Sequence, residues 1–196
     1  LRQDQHTVLS VLDRTETVMG SRLLREWLVR PLLDHSAIHA RLDAVGELKD
    51  RVQQRVSLRT ALRDVQDIAR LASRVTLGVA GPRELLALKQ SVSALPELRS
   101  QLQPFDASLL AGARESWDDC RDVHDVIEQA IKLDAPILSR DGGIIREGYH
   151  AGVDELRKAS TEGKGWIASL EAKERERTGI DSLKVRYNQI FGYYIE

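Results

Sequence analysis

The most constraining feature of the sequence is a long helical pattern in its last quarter. A heptad-like rhythm with steps of three and four extends towards Gly179; its positions are mostly apolar or small up to Leu170 and end on a charged residue, at Val153, Leu156, Ser160, Gly163, Ile167, Leu170 and Glu174. A helix of about 25 residues is roughly 40 Å long, which is more than a small compact domain needs. Charged residues dominate from Glu171 to Thr178. We therefore expect this helix to protrude from the body of the protein, because a helix segment in solvent needs no apolar face.

The sequence period changes from helical to two after Asp181. Successive residues then alternate between an apolar set (Leu183, Val185, Tyr187) and a basic or polar set (Lys184, Arg186, Asn188). Period two is typical of a half-exposed strand, with the apolar set facing inward and the other set facing out. Gln189 to Gly192 can form a turn, and Tyr193 to Glu196 can begin a return strand. The pattern predicts a small β element at the tip of the long helix.

Helical spacing also fills the chain between Met19 and Ile131, so we predict a bundle of several helices there. The first ends at Arg30 because Pro31 follows it. Further helices are expected from Asp34 or Ser36, over 52–62, from Asp64 or Asp67 to Gly78, after Gly81-Pro82, and from about Trp117 to Ile131. The residues expected to be buried are Leu23, Trp27, Leu42, Val45, Leu85, Leu88 and Ile127.

The fold class predicted from these patterns is mainly α. The domain organisation expected is a helical core over residues 1–150, a long helix over 151–180 and the first strands of a small, incomplete β domain over 181–196. Within the core, two short extended runs, one over 135–138 and one at Ile144-Ile145, flank Gly142-Gly143. A Gly-Gly turn between them would form a second hairpin.

Charge and cysteine content limit the functions and the cellular locations that fit this chain. The formal net charge is −1 with 30% charged residues, so contact with nucleic acid would have to be local. The single cysteine, Cys120, fits a reducing compartment. No apolar run is long enough to span a bilayer, and a cytoplasmic location is expected. Because the last residues resemble half of a strand, we expect the chain to be an excised piece of a longer protein.

Two patterns suggest a chemical site, and neither is specific. Cys120 and His124 are spaced as i and i+4 on the expected helix, with several aspartates nearby, so a metal-dependent enzyme is one hypothesis. A zinc site needs more ligands than these, and a semi-buried cysteine on an acidic helix is the commoner case. Gly163-Lys164-Gly165 lacks the spacing and the Ser/Thr of a phosphate loop. We therefore expect no catalytic residue, small-molecule substrate, cofactor or metal in this chain.

The outward set of the predicted strand is a candidate nucleic-acid site. Lys184, Arg186 and Asn188 would point the same way and could contact successive phosphates without reading bases. Exposed strands also carry Lys and Arg simply to discourage edge-to-edge pairing. From the residues alone, both interpretations remain open.

Several segments, in order along nearly the whole chain, resemble the MutS family of DNA mismatch-repair proteins. The motifs are Leu12-Asp13-Arg14-Thr15, Met19 to Leu28, Arg30-Pro31-Leu32, Ile38 to Leu48, Asp141-Gly142-Gly143, Glu174 to Ile180, Leu183-Lys184-Val185 and Phe191 to Glu196. Arg186 stands where this family commonly has glycine. The resemblance is to the core (lever) domain and the start of the clamp domain.

The resemblance implies a function that composition and periodicity do not show. The core and lever would relay nucleotide state between an ATPase domain and a DNA clamp, and the clamp would hold the backbone of double-stranded DNA. The ATPase domain, with its ATP and Mg²⁺, would lie outside this chain, and the parent would be a homo-oligomer. The alternative is a helical protein–protein interaction scaffold without DNA binding, which would leave the basic strand unexplained.

Overall fold

The structure is a computed structural model that describes residues 7–188, 190 and 192–196. The chain divides into two units, Leu1–Arg146 and Glu147–Glu196. The described part of the first unit is helical, which confirms the mainly α prediction. Its helices are α1 (Val8–Leu12), α2 (Val18–Val29), α3 (His35–Asp50), α4 (Val52–Leu62), α5 (Ile68–Thr76), α6 (Pro82–Ser93), α7 (Leu95–Gln101), α8 (Ser108–Glu115) and α9 (Arg121–Ala130).

Short polar side chains set where several of these helices begin. The side chains of Thr17, Asp34 and Asp67 each accept a hydrogen bond from the backbone N–H of the third helical residue. Such caps satisfy one of the N–H groups that a helix leaves without a partner. Of the two starts expected for α3, the structure has Asp34 as the cap, and for α5 it has Asp67. Pro82 occupies the first position of α6, where its missing N–H costs nothing.

The main core lies where α5, α6 and α9 pack together. Leu71 is 1% exposed and Leu88 is 6% exposed. The buried cluster consists of Leu71, Leu88, Val92, Ile127, Ala130, Ile131 and Ala135. The predictions that Leu88 and Ile127 are buried are confirmed, and Leu85 is partly buried against the same cluster.

A second buried region forms around the turn between α7 and α8. Phe105 is fully buried, and Leu98 and Leu102 are buried near it in the chain. Arg114 donates hydrogen bonds to the carbonyls of Leu102, Gln103 and Phe105 at 3.1–3.4 Å. The Glu47 carboxylate on α3 accepts from the backbone N–H groups that precede α8, with 2.8 Å to Ala107. These backbone bonds lower the pKa of Glu47.

The prediction that the apolar faces of α2 and α3 are buried is wrong. Leu23 is 48% exposed, Trp27 36%, Leu42 58% and Val45 61%. The Trp27 ring is covered on one side by the Arg41 guanidinium, 3.6 Å from the ring centroid. In α3 the buried residue is Ala44 instead, and no residue of α2 is buried. Helical spacing identifies an apolar face, but it does not determine what covers that face.

Two local predictions around α9 are also wrong. The helix begins at Arg121 rather than near Trp117, because the Asp118 side chain accepts from Cys120 N–H at 2.8 Å and forms a turn. The expected hairpin around Gly142-Gly143 does not form, and residues 139–141 make a short 3₁₀ turn instead. Ile145 pairs in an isolated antiparallel bridge with Ile131, at the end of α9.

In the second unit, α10 runs from Ala151 to Thr178 and is 28 residues long. At 1.5 Å per residue its length is about 42 Å, as the heptad-like pattern predicts. Gly179 ends the helix in the left-handed conformation, with φ +70° and its N–H bonded to the Arg175 carbonyl, a conformation that favours glycine. The two strands that follow are β1 (Val185–Asn188) and β2 (Gly192–Ile195).

One ion pair in the first unit should make the stability of the fold depend on pH. Arg22 on α2 donates to both oxygens of Asp67, at 2.5 and 2.8 Å. These bonds lower the pKa of Asp67 from its ordinary 3.8 to about 2. A depressed pKa contributes stability that is complete above the unfolded-state pKa and is lost as the pH falls through the folded-state pKa. The contribution should therefore disappear between about pH 4 and about pH 2.

We expect Arg22→Met to flatten this part of the stability profile, as measured by urea midpoints over that acid range. Arg25→Met, which removes an equal charge from the same helix, is the matched control and should keep the wild-type slope. An unchanged acid slope in Arg22→Met would show that Arg22 does not set the pKa of Asp67.

Candidate nucleic-acid interface

The two strands form an antiparallel hairpin at the end of α10. Their register pairs Val185 with Ile195, Arg186 with Tyr194, Tyr187 with Tyr193, and Asn188 with Gly192. Lys184 and Glu196 exchange backbone hydrogen bonds of 2.8 and 2.9 Å, so the pairing continues one residue beyond the strands. The predicted return strand is confirmed. Gln189 and Phe191, both within the predicted turn, lie outside the described residues.

Two charged residues of α10 attach the hairpin to the helix. Glu171 accepts from the backbone N–H of Val185 at 3.1 Å through one oxygen and from Arg175 at 2.5 Å through the other. The Arg175 Nε donates to the Leu183 carbonyl at 2.8 Å. Leu183 is 6% exposed. The first strand is therefore fixed against the helix by its backbone as well as by the buried side chain of Leu183.

The inward set of β1 is only partly buried. Leu183 is buried and Val185 is half-buried, as predicted. The prediction that Tyr187 packs inward is wrong, because Tyr187 is 63% exposed. Its ring meets that of Tyr193 edge-to-face, with 5.1 Å between centroids, and Tyr193 is itself 64% exposed. The alternation of the sequence places Tyr187 on the apolar side of the strand. Tyr187 nevertheless stays exposed, because the residue that it packs against, Tyr193, is exposed as well.

The outward candidates, Lys184, Arg186 and Asn188, are in three different situations. Lys184 is exposed, and among the described residues no carboxylate lies within 4.0 Å of its ammonium group. Arg186 is also exposed, but its Nε is 2.5 Å from the Glu196 carboxylate on the opposite strand. Asn188 is half-buried, and its Oδ1 accepts from the Ile190 N–H at 3.0 Å. Lys184 is therefore the cation best placed to meet an anion.

The arginines near the end of α10 are paired within the helix. Arg177 lies 2.7 Å from Glu174, and this contact raises the pKa of Arg177. Arg175 is held by Glu171, as described above. These pairs make the end of α10 a salt-bridged surface.

Sequence reasoning missed an apolar groove between α10 and the hairpin. It has a volume of about 580 Å³. Its lining residues are Ser160, Gly163, Trp166, Ile167, Leu170, Val185, Tyr193, Tyr194 and Ile195. Trp166 is 65% exposed and Ile195 is 54% exposed. The signal in the sequence was an apolar set on the long helix (Trp166, Ile167, Leu170) followed within 30 residues by an apolar return strand (Tyr193 to Ile195).

The Cys120 region does not have the geometry expected for it. Cys120 precedes α9 in the left-handed conformation, with φ +46°, so it does not share a helix with His124. His124 Nδ1 lies 2.9 Å from Asp125. Burial raises the pKa of the Cys120 thiol, and the carboxylates of Asp118, Asp122 and Asp119 raise it further. Across the described ranges, no group of three or more His, Cys, Asp and Glu side chains is arranged to hold a metal ion.

No helix within the described part of the chain is long and apolar enough to cross a membrane.

Gly163-Lys164-Gly165 lies inside α10, whereas a phosphate loop lies between a strand and a helix.

Comparison with known proteins places the chain among mismatch-repair sequences. The sequence model described as MutS domain III matches residues 1–191. The DNA mismatch repair protein MutS of Symbiobacterium thermophilum is 52% identical over 189 residues, which cover 96% of this chain and 22% of the relative. The corresponding proteins of Alkaliphilus metalliredigens and Ruminiclostridium cellulolyticum are each 48% identical over 190 residues, covering 97% of this chain and 22% of each relative. The chain thus spans about a fifth of the length of these curated relatives. These matches confirm the resemblance carried by the motifs, and the chain belongs to the MutS domain III family.

Proposed function

We propose that this chain is the core and lever of a longer mismatch-repair protein of the MutS kind, with the first strands of its DNA clamp. The family match supports this, since the matched relatives are named as DNA mismatch repair proteins. In this proposal, helices α1 to α9 form the core, α10 is the lever, and the β1–β2 hairpin grips the backbone of double-stranded DNA. The core and lever relay nucleotide state between an ATPase domain and the clamp.

The observation that carries the proposal is how the hairpin is joined to α10. A 28-residue helix ends at a hairpin that Glu171 and Arg175 fix to it through backbone hydrogen bonds. A firm attachment of this kind allows a displacement of the helix to move the hairpin with it. Lys184 sits on this hairpin with its charge uncompensated by any described carboxylate, so it can neutralise a phosphate.

The proposed grip is independent of base sequence. A lysine ammonium is a compact charge that binds phosphate without selecting a base. Arg186 must leave Glu196 before it can contact a phosphate, and the Asn188 oxygen already accepts a backbone hydrogen bond. We therefore rank Lys184 first, Arg186 second and Asn188 third as DNA-contacting residues.

The remaining roles belong to the longer protein. We propose that ATP and Mg²⁺ bind in an ATPase domain outside this chain, and that the chain itself has no catalytic residue, resident cofactor or metal. We also propose that the longer protein is cytoplasmic and homo-oligomeric.

The alternative function, a helical protein–protein interaction scaffold without DNA binding, is favoured by one observation. The faces of α2 and α3 that carry Leu23, Trp27, Leu42 and Val45 are exposed, although they are apolar. Apolar faces of this kind often bind a partner. The scaffold hypothesis predicts no effect of Lys184 on DNA affinity, so the following experiment separates the two functions.

In the longer protein, we expect Lys184→Ala to weaken binding to matched and mismatched duplexes by the same factor. A lost phosphate contact also makes the log–log dependence of affinity on salt shallower by roughly one unit. Fluorescence anisotropy with both duplexes over a series of salt concentrations measures both quantities.

The matched control for Lys184→Ala is Lys158→Ala. Lys158 is an exposed lysine that pairs loosely with Glu162 at 3.9 Å. It lies twenty residues before the end of α10 at Thr178, roughly 30 Å along the helix, and the control removes the same charge. An unchanged affinity and slope in Lys184→Ala would exclude Lys184 from the grip. A loss confined to mismatched DNA would contradict contact with the backbone.

A further inference from the structure

The segment that leads from the first unit into α10 is paired with the end of α9. Ile131 and Ile145 form an antiparallel bridge. Lys132 N–H donates to the Ile144 carbonyl at 2.8 Å, and Arg146 N–H donates to the Ala130 carbonyl at 2.8 Å. Arg146 is the last residue of the first unit, and α10 begins at Ala151. Residues 144–146 form the approach segment. Any displacement that is transmitted along the chain between the core and α10 must pass through it.

One carboxylate joins the approach segment to two core helices. Glu128, on α9, accepts from the Lys89 ammonium of α6 through one oxygen. Its other oxygen accepts from the Arg146 guanidinium at 2.8 Å. The Arg146 Nε also donates to the Ile131 carbonyl at 2.8 Å. Three parts of the fold therefore meet at the side chain of Glu128.

The two cations of this network are not equally buried. The Lys89 side chain is 11% exposed, whereas the Arg146 side chain is 34% exposed. A buried cation without its carboxylate is strongly destabilising, but a cation that can reach water pays a smaller penalty. If the network opens, it should therefore open between Glu128 and Arg146, while Lys89 and Glu128 stay together. The contact with Lys89, followed by the charges of Lys89 and Arg146, lowers the pKa of Glu128 and keeps the acceptor ionised.

We propose that Glu128 is a positioning residue that latches the approach segment to core helices α6 and α9, and that the latch opens on its Arg146 side. Its role in the relay rests on the proposed function. The closed latch makes the approach segment part of the core, so that a change in the core is transmitted to the start of α10. With the latch open, the approach segment is held to the core only by its backbone pairing and by the packing of Ile144 and Ile145, so it separates from α9 more readily while the core stays folded.

The first test measures amide hydrogen exchange in the purified chain. Arg146→Gln removes the guanidinium but keeps the buried pair of Lys89 and Glu128. We expect exchange at the amides of positions 132 and 146 to accelerate roughly tenfold or more, since a charge-assisted hydrogen bond no longer opposes local opening. Exchange at Ile127, inside α9, should stay unchanged.

Arg140→Gln is the matched control, because Arg140 is an 83% exposed arginine six residues earlier whose nearest carboxylate is 3.9 Å away. It should leave all three amides unchanged. Glu128→Gln combined with Lys89→Met removes the latch without leaving a buried cation, and it should reproduce the fast exchange of Arg146→Gln. The proposal is overturned if the amides at positions 132 and 146 exchange at the wild-type rate in Arg146→Gln, after correction for the intrinsic rate of the new side chain. It is equally overturned if Ile127 accelerates by the same factor, which would indicate general destabilisation.

The second test uses the longer protein and measures DNA affinity with and without ATP. We expect Arg146→Gln to bind DNA normally without nucleotide but to lose most of the change in affinity that ATP causes. If ATP does not change the DNA affinity of the wild-type protein, the relay in the proposed function is refuted. If ATP changes the DNA affinity of the wild-type protein and of Arg146→Gln equally, only the latch is refuted.

Discussion

Shortening Leu88 to Ala should lower the free energy of unfolding by about 2–5 kcal/mol, the range measured for buried leucines. Leu88 is 6% exposed and belongs to the cluster shared by α5, α6 and α9, which includes Leu71 and Ile127. Removing its branched end leaves a cavity among neighbours that are held on three helices and cannot all relax into it. Urea denaturation followed by far-UV circular dichroism measures the loss.

Leu42→Ala is the matched control, because the same atoms are removed from a helix position that is 58% exposed. We expect its cost to be at most about 0.5 kcal/mol, as for ordinary surface substitutions. The sequence pattern gives both leucines the same expected cost, so the pair tests what the tertiary structure adds. Equal losses in the two variants would show that α3 is covered in solution or that Leu88 is not in the core.

Shortening Phe105 to Ala should cost about 3–5 kcal/mol, the range for a fully buried aromatic side chain. Phe105 is 0% exposed. Its carbonyl accepts from Arg114 at 3.1 Å, and the Arg51 guanidinium lies 5.8 Å from its ring centroid. The ring thus fills the turn between α7 and α8, where the side chains of α3 and α8 also bind the backbone. The same urea experiment measures the effect.

Phe105→Leu separates the volume of the ring from its aromatic character. Leucine restores much of the apolar volume, so we expect this variant to recover most of the stability that Phe105→Ala loses. A leucine variant as unstable as the alanine variant would show that the contact with Arg51, rather than burial, accounts for the effect.

Local patterns in the sequence determined the secondary structure of the second unit and much of that of the first. The three-four spacing from Val153 to Glu174 and the glycine at position 179 define α10 and its end. The period-two pattern around Lys184 to Asn188 predicts β1, although the burial along it does not alternate, because Tyr187 is exposed and Asn188 is half-buried. Capping residues such as Asp34 and Asp67 mark where helices begin. Each of these signals works within one or two turns of chain, so neighbouring residues suffice to produce it.

The tertiary structure alone decided which of these faces are buried and which charges are free. Leu42 and Leu88 have the same helical spacing, yet Leu42 is exposed whereas Leu88 is buried in the cluster shared by three helices. Arg186 and Lys184 look equivalent in the period-two pattern, but the pairing of the two strands places Glu196 beside Arg186. Ile145 pairs with Ile131 rather than across the nearby glycines. Burial and ion pairing depend on residues brought together from distant parts of the chain. A local sequence pattern does not contain the information about which distant residues will meet.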